Sequence, residues 1–433
     1  YIRRASEENR NPGSLVENTI RILDAEDHFS TLREPLKNYG ENKDDQLFAV
    51  ALELCITWMN RVLFLKLLEA QLFRYHRGDK KFKFLNSEEL SGFDALNTLF
   101  FQVLARRTEE RSEAIKEKFG HIPYLNSSLF DVSDLEHDTT RISGLTDATM
   151  PVYSRSVLND LKGKELSILD YLFRFLEAYD FSAEGKEEIR SERKSLINAS
   201  VLGLIFEKIN GYKDGSFYTP GFITEYMARE TLRKAVTDKF IEAAGIKDGE
   251  ELTISDLYNH IGPNRSVSIE EANELVNSIT ICDPAVGSGH FLVSSLNELL
   301  AIKSDLGILC DVEGKAFRDL NVTVENDELI VSFGDDELFE YDVSHTWKGQ
   351  TLASNIASER QRIQQALFHE KRYLIENCLF GVDINANSVK ICRLRLWIEL
   401  LKRAFYTPES EYLELEVLPN IDINIKQGNS LVS

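Results

Sequence analysis

Three short segments hold residue types at spacings that could do chemistry. The first, Asp283-Pro284-Ala285-Val286-Gly287-Ser288-Gly289-His290-Phe291, lies between the apolar run Ile279-Thr280-Ile281-Cys282 and a helical pattern over Phe291 to Ile302. A carboxylate and two glycines between a strand and a helix describe a nucleotide-like site at the carboxyl end of that strand. Gly287 and Gly289 let the main chain turn sharply and approach a ligand with no side chain intervening. Asp283 offers a carboxylate to a cationic amino group. An ordinary tight turn would use the same glycines, and a dinucleotide fold would want a third one three positions after Gly289. Leu292 stands there instead.

The second segment is Gly381-Val382-Asp383-Ile384-Asn385. An acidic side chain at the end of a second strand is placed to accept hydrogen bonds from both ribose hydroxyls of an adenosine. By itself this segment reads equally well as a surface turn; following the first in one sheet, it gains weight. The third, Gln427-Gly428-Asn429-Ser430-Leu431, offers Asn429 to an adenine edge.

The elements that must position these residues are legible around them. After Asn277 strand and helix patterns alternate, the mark of a parallel α/β sheet. Strands are expected at Ile279 to Cys282, Cys378 to Val382 and Ile421 to Ile425, with helices over Phe291 to Ile302 and Ser388 to Ala404. An insertion of roughly 305–373 separates the first helix from the second strand. It contains a hairpin, Asn321 to Val324 and Leu329 to Phe333 around Glu325-Asn326-Asp327-Glu328, and a long helix from about Thr351 to Ile375. Its residues suggest no function. Upstream, a helix over Leu202 to Ile209 stops at Asn210-Gly211, and Phe217-Tyr218-Thr219-Pro220 opens the next one. Thr219 is expected to cap that helix and Pro220 to occupy its first turn. Phe222, Ile223, Tyr226, Met227, Ala235 and Val236 would form its apolar face, opposite Glu225, Arg229 and Arg233.

From Ser14 to about Ser200 apolar residues recur three and four apart with little strand signal, so this region reads as all-helical. Leu47 to Phe73 is one long helix or a helix pair. Glu53, Arg61, Lys66 and Glu69 interrupt it at helical spacing, which suits a buried helix better than a membrane span. Further helices are expected from Asp94 through Leu104 and from Thr108 to Lys118, before Gly120-His121-Ile122-Pro123 breaks the pattern.

In this order, Phe217-Tyr218-Thr219-Pro220, Asp283 to Gly289, Gly381 to Asn385 and Gly428-Asn429-Ser430 resemble the γ-class adenine-N6 methyltransferases of DNA. The resemblance covers about 198–433. Pro123-Tyr124-Leu125-Asn126-Ser127-Ser128-Leu129-Phe130 and Leu202-Gly203-Leu204-Ile205-Phe206-Glu207 are similar, more loosely, to the helical connector of Type IIG restriction-modification enzymes. Similar helical pieces occur in Type I modification subunits and phage-defence methyltransferases. The resemblance implies a Rossmann-like S-adenosylmethionine-dependent core, incomplete at its C-terminal side, over 198–433, and an all-α connector over 1–197. It implies a cofactor site of Tyr218, Thr219, Pro220, Asp283, Pro284, Ala285, Gly287, Gly289, Phe291, Asp383, Ile384 and Asn429, and double-stranded DNA as the partner of the full-length protein. One departure matters: the family's catalytic Asn-Pro-Pro-Tyr motif is absent, because all nine prolines stand singly. In the family that motif binds the amino group of a flipped adenine. The chain therefore reads as a fragment that binds the cofactor and is inactive alone, and, since it opens Tyr1-Ile2-Arg3-Arg4, as one whose natural start lies upstream.

Composition limits the options further. The 433 residues suffice for two or three domains, and 43% apolar with 28% charged residues is ordinary for a globular protein. The five cysteines stand singly, without a CxxC pair or a histidine at ligand spacing. That speaks against a zinc site or disulfide framework and suits a reducing cytoplasm. A net charge of −21 is unexpected for a DNA enzyme, since phosphate contacts need lysine and arginine. The basic segments Arg74 to Lys83 and Lys390 to Arg403 are either local exceptions or solvated helix faces. Other readings share parts of the pattern: a nicotinamide-dependent oxidoreductase, a methyltransferase of protein or RNA amines, or a non-catalytic module that senses the cofactor.

Overall fold

The computed structural model describes residues 4–25, 39–125, 128–181, 195–196, 201, 219–245, 252–334, 337–343, 353–410, 412 and 414–432. It is mixed α/β, and two compact units divide it. Tyr1–Ala183 makes up most of the first, and Asn198–Tyr412 with Leu418–Ser433 most of the second.

The first unit is helical and built around a single helix of 33 residues, α2 (Lys43–Tyr75), which packs against α1 (Leu15–Ala25). Asn42 begins α2 by accepting the Asp45 amide, and two acids, Asp44 and Asp45, occupy the positive end of the helix dipole. Gly78, at φ 82°, lies just past its end. The helix is long and apolar enough to cross a membrane, yet most of its apolar window is buried inside the unit. Its central charges Arg61, Lys66 and Glu69 are buried with it and paired. Arg61 donates to Glu136 at 2.6 and 2.8 Å, Trp58 adds a third bond to the same carboxylate, and Lys66 meets Glu69 at 2.5 Å and Glu177 of α3 (Ile168–Glu177) at 2.8 Å. Severing one such buried pair would cost about 3–5 kcal/mol by leaving a lone charge. The helix expected from Asp94 through Leu104 is α-helical over Phe93–Thr98 and π-helical over Leu99–Leu104. One short antiparallel pair, Thr149–Pro151 with Glu165–Ser167, departs from the all-helical expectation.

The second unit carries the three segments. Helix α4 (Gly221–Ala244) begins one residue later than expected: Pro220 is the N-cap, and no side chain caps the helix. The Thr219 cap is thus corrected, because the extended Pro220 (φ −57°, ψ 142°) occupies the boundary position. Its buried face also differs. Thr224, Ala228, Leu232, Val236 and Phe240 step by four along one stripe, while Phe222 and Tyr226 are 74% and 66% exposed. Small residues at the start of that stripe let α4 approach α5 (His290–Asp305) closely, and Arg233 locks the pair by bonding Glu298 at 2.6 Å and Asp305 at 2.8 Å.

Strands β1 (Ile281–Asp283), β4 (Leu379–Asp383) and β5 (Ile425–Gln427) form one parallel sheet in the order β5-β4-β1. Asp283 lies opposite Gly381, and Gln427 opposite Asp383. Between β1 and β4 come α5, the antiparallel hairpin β2 (Leu320–Glu325) and β3 (Glu328–Phe333), and α6 (Ala353–Asn377). Helix α7 (Ala386–Leu401) joins β4 to β5. The third strand lies later than its alternating pattern suggested. The Asn424 side-chain amide donates to the carbonyls of Ile375, Glu376 and Leu379, turning the chain there, and Ile423 is exposed.

Candidate cofactor site

The carboxyl ends of the three parallel strands bring the sequence segments together. After β1 the chain turns at Pro284 and Ala285, and Asp283 accepts the Ala285 amide at 3.0 Å. Gly287 and Gly289 take left-handed conformations, φ 53° and 83°, as a strand-to-helix turn of this tightness demands. Gly289 has a second reason to be glycine. A Cβ there would lie 2.7 Å from Cys392 Sγ on α7, so its bare face meets a neighbouring helix rather than a ligand. Pro284 and Ala285 are exposed, Phe291 is half-buried at the start of α5, and Leu292 is fully buried.

Asp383 ends β4 and joins all three segments. Its Oδ2 accepts the Gly287 amide at 2.8 Å, its Oδ1 accepts the Asn385 amide at 2.8 Å, and its carbonyl accepts the Gly428 amide at 2.9 Å. The Ser430 hydroxyl donates to the Pro284 carbonyl at 2.8 Å, so the third segment closes back on the first. Ile384 stands 71% exposed beside Asp383. Asn429 is exposed, and its Oδ1 already accepts the Leu431 amide at 3.0 Å, leaving its amide N–H groups as the free donors. Burial pushes the Asp283 carboxyl above its ordinary range and the charge of Asp383 adds to this, while the Ala285 amide opposes it.

The expected Tyr218 lies outside the described residues. Thr219 and Pro220 stand at the head of α4, which reaches α5 one turn further on, where the Thr224 and Ser294 hydroxyls are 2.8 Å apart. One contributor escapes a motif-based reading: Arg395, 1% exposed, donates to the Ser288 carbonyl at 3.3 Å, while Asn385, the last residue of the second segment, caps α7. Arg395 belongs to the basic segment Lys390 to Arg403, which is no open cationic surface. Lys402 is paired with Glu328 and Glu399, and Arg393 bonds the Ile425 carbonyl. The other basic segment does face solvent at Arg77, Lys80 and Lys81. An apolar cavity of about 280 Å³ in the first unit, bordered by Trp58, Met59, Phe93 and Phe175, presents little chemistry.

The chain is similar to known proteins along its length. Residues 1–197 match a domain of unknown function, DUF7814. The Methanocaldococcus jannaschii protein RM.MjaORFECS2P, described as a type II restriction enzyme and methyltransferase, is 30% identical over 424 residues, covering 90% of this chain. The Escherichia coli type II restriction enzyme and methyltransferase RM.Eco57I is 25% identical over 186 residues, covering 42% of this chain. The chain spans 28% and 16% of the lengths of these two relatives. Among solved structures, the Type IIL restriction-modification enzyme MmeI in complex with DNA aligns with 96% of this chain and 40% of its own, at a TM-score of 0.38 and 15% identity.

Proposed function

We propose that 198–433 is the S-adenosylmethionine-binding half of a site-specific DNA adenine-N6 methyltransferase from a restriction-modification system, with 1–197 as its helical connector. The observation that carries this reading is the closure of Gly287, Gly428 and Asn385 around Asp383 at the carboxyl edge of a parallel sheet. Ligands of open α/β sheets bind at that edge. Strand order β5-β4-β1 agrees with half of a Rossmann-like core. The similarity to restriction-methyltransferase relatives supports the same reading.

The residues present fit the cofactor. Each Asp383 oxygen uses one acceptor direction on a backbone amide and keeps another for a ribose hydroxyl. Exposed Ile384 offers an apolar surface for adenine, and the free Asn429 amide offers a donor to its edge. Asp283 takes the cationic amino group, and Thr219, Pro220 and Tyr218 close the methionine end. When bound, S-adenosylmethionine supplies an electrophilic methyl on its sulfonium. With no Asn-Pro-Pro-Tyr motif, this chain binds and orients but does not hold the target amine. Double-stranded DNA is the partner of the longer protein, and the cytoplasm its place.

The test is methyl transfer by the longer protein from radiolabelled S-adenosylmethionine to duplex DNA, followed by digestion to nucleosides. Label in N6-methyl-2′-deoxyadenosine supports the reading. Label in a methylated cytosine overturns the adenine assignment, and label on protein or RNA alone overturns the DNA assignment.

A further inference from the structure

The tip of the β2–β3 hairpin lies in the insertion whose residues suggest no function, and one of its two turn residues, Asp327, is buried while Asn326 is exposed. Asn326 and Asp327 form a two-residue turn with φ of 53° and 63°, the left-handed pair of a type I′ hairpin. Such tips ordinarily face water, yet Asp327 is only 4% exposed. Its Oδ1 accepts the Ser294 hydroxyl at 2.6 Å, and Ser294 lies 2.8 Å from the Thr224 hydroxyl. Its amide donates to Glu225 Oε2 at 2.9 Å, and its carbonyl accepts Asn297 Nδ2 at 3.0 Å. Its other carboxylate oxygen, Oδ2, is buried without a partner.

Burying a carboxylate is costly unless hydrogen bonds compensate, and a turn alone does not require one. What this arrangement does is tie two helices. Thr224 ends the first turn of α4 and Glu225 begins the second, shortly after Thr219 and Pro220, and the Thr224 hydroxyl lies 2.9 Å from the Gly221 carbonyl. Ser294 and Asn297 lie on α5, where Ser294 stands one turn above His290 and the glycine turn. The starts of α4 and α5 are thus pinned to one residue from a distant part of the chain.

We propose that Asp327 is a positioning residue: the hairpin tip fixes the separation of the Thr219–Pro220 end of α4 from the glycine-turn end of α5, and so sets the shape of the cofactor pocket. The proposal rests on reading 198–433 as that pocket, but the tie itself can be measured without the cofactor.

Asp327→Gly is the informative variant, since Asn-Gly is the preferred type I′ pair and the change removes the carboxylate while keeping the turn. Asp327→Asn tolerates the left-handed conformation and keeps an acceptor for Ser294. Calorimetric titration with S-adenosylmethionine and amide hydrogen exchange are read on the full chain. Asp327→Gly should weaken binding about tenfold or more and speed exchange over 221–228 and 290–297, leaving α7 unchanged, while Asp327→Asn restores both to within about threefold. Ser294→Ala should give the same pattern more weakly, and it serves if Asp327→Gly does not fold. Unchanged exchange at both helix starts overturns the proposal, as does faster exchange spread over the whole unit or wild-type affinity in Asp327→Gly. Faster exchange at both starts, in a chain whose wild type binds no S-adenosylmethionine, upholds the tie and overturns the cofactor reading instead.

Discussion

The Gly287 amide donates to Asp383 Oδ2 at 2.8 Å, joining residues 96 positions apart. This bond closes the turn after β1 onto the end of β4, and it makes one carboxylate responsible both for the shape of the site and for its charge. Asp383→Ala would leave the Gly287 and Asn385 amides without their acceptor. The expected cost is about 1–3 kcal/mol of unfolding free energy. Asp383→Asn, which keeps one acceptor oxygen, should lose less. Chemical denaturation of the three proteins checks the order.

Gly289 is constrained twice, by φ 83° and by the 2.7 Å approach its missing Cβ would make to Cys392 Sγ. Gly289→Ala should cost about 1–2 kcal/mol for the left-handed conformation alone, with the overlap added. Cys392→Ala in the same chain removes the overlap but not the conformational strain. A double-mutant cycle from denaturation midpoints should therefore show partial, non-additive rescue.

Cofactor affinity should depend on pH through Asp283. Its folded pKa is raised by burial and by Asp383, so the carboxylate is lost while pH is still above the ordinary aspartate range. Affinity for a ligand with a cationic amino group should be full at neutral pH and fall as the solution is acidified through that raised value. Asp283→Asn should bind weakly at all pH values, with a flatter profile. Titrations from pH 7.5 downward, at pH values where the far-ultraviolet spectrum is unchanged, separate this from unfolding.

The helical unit should carry a different pH signature. The His76 ring stacks on Phe82 with centroids 3.8 Å apart; burial lowers its pKa to about 4, and Lys81 adds to the shift. His121 is lowered for the same leading reason, burial. An unfolded histidine binds its proton near pH 6.5, so the stability held in the neutral rings is complete above that pH. It is lost as pH falls from there toward the folded value of about 4. His76→Phe should flatten the slope between these limits, leaving the contribution of His121, in thermal melts across that range.

Much of this arrangement was legible in the residues. The three segments at the strand ends meet because strand, glycine turn and helix each have a local signature, and so does the Asn326-Asp327 hairpin. What was not legible depends on partners far away in sequence. The alternation of Ile421 to Ile425 suggested a strand, but the Asn424 side-chain bonds to α6 and β4 bend it. The apolar residues Phe222 and Tyr226 suggested a buried face, but the stripe of α4 that fits α5 holds Thr224 and Ala228 instead. The cations of Lys390 to Arg403 suggested a surface until Glu328 and Glu399 were found beside Lys402. Asp327 offers no signal at all beyond its turn, since Ser294 and Thr224 become its partners only when the hairpin folds back.

The most direct test of the central claim is calorimetric titration of this chain with S-adenosylmethionine, beside the same titration with a nicotinamide dinucleotide and with Asp383→Ala. Micromolar binding of S-adenosylmethionine alone, lost in the variant, is the result expected. Tight binding of the dinucleotide, or S-adenosylmethionine binding that survives loss of the Asp383 carboxylate, would contradict it.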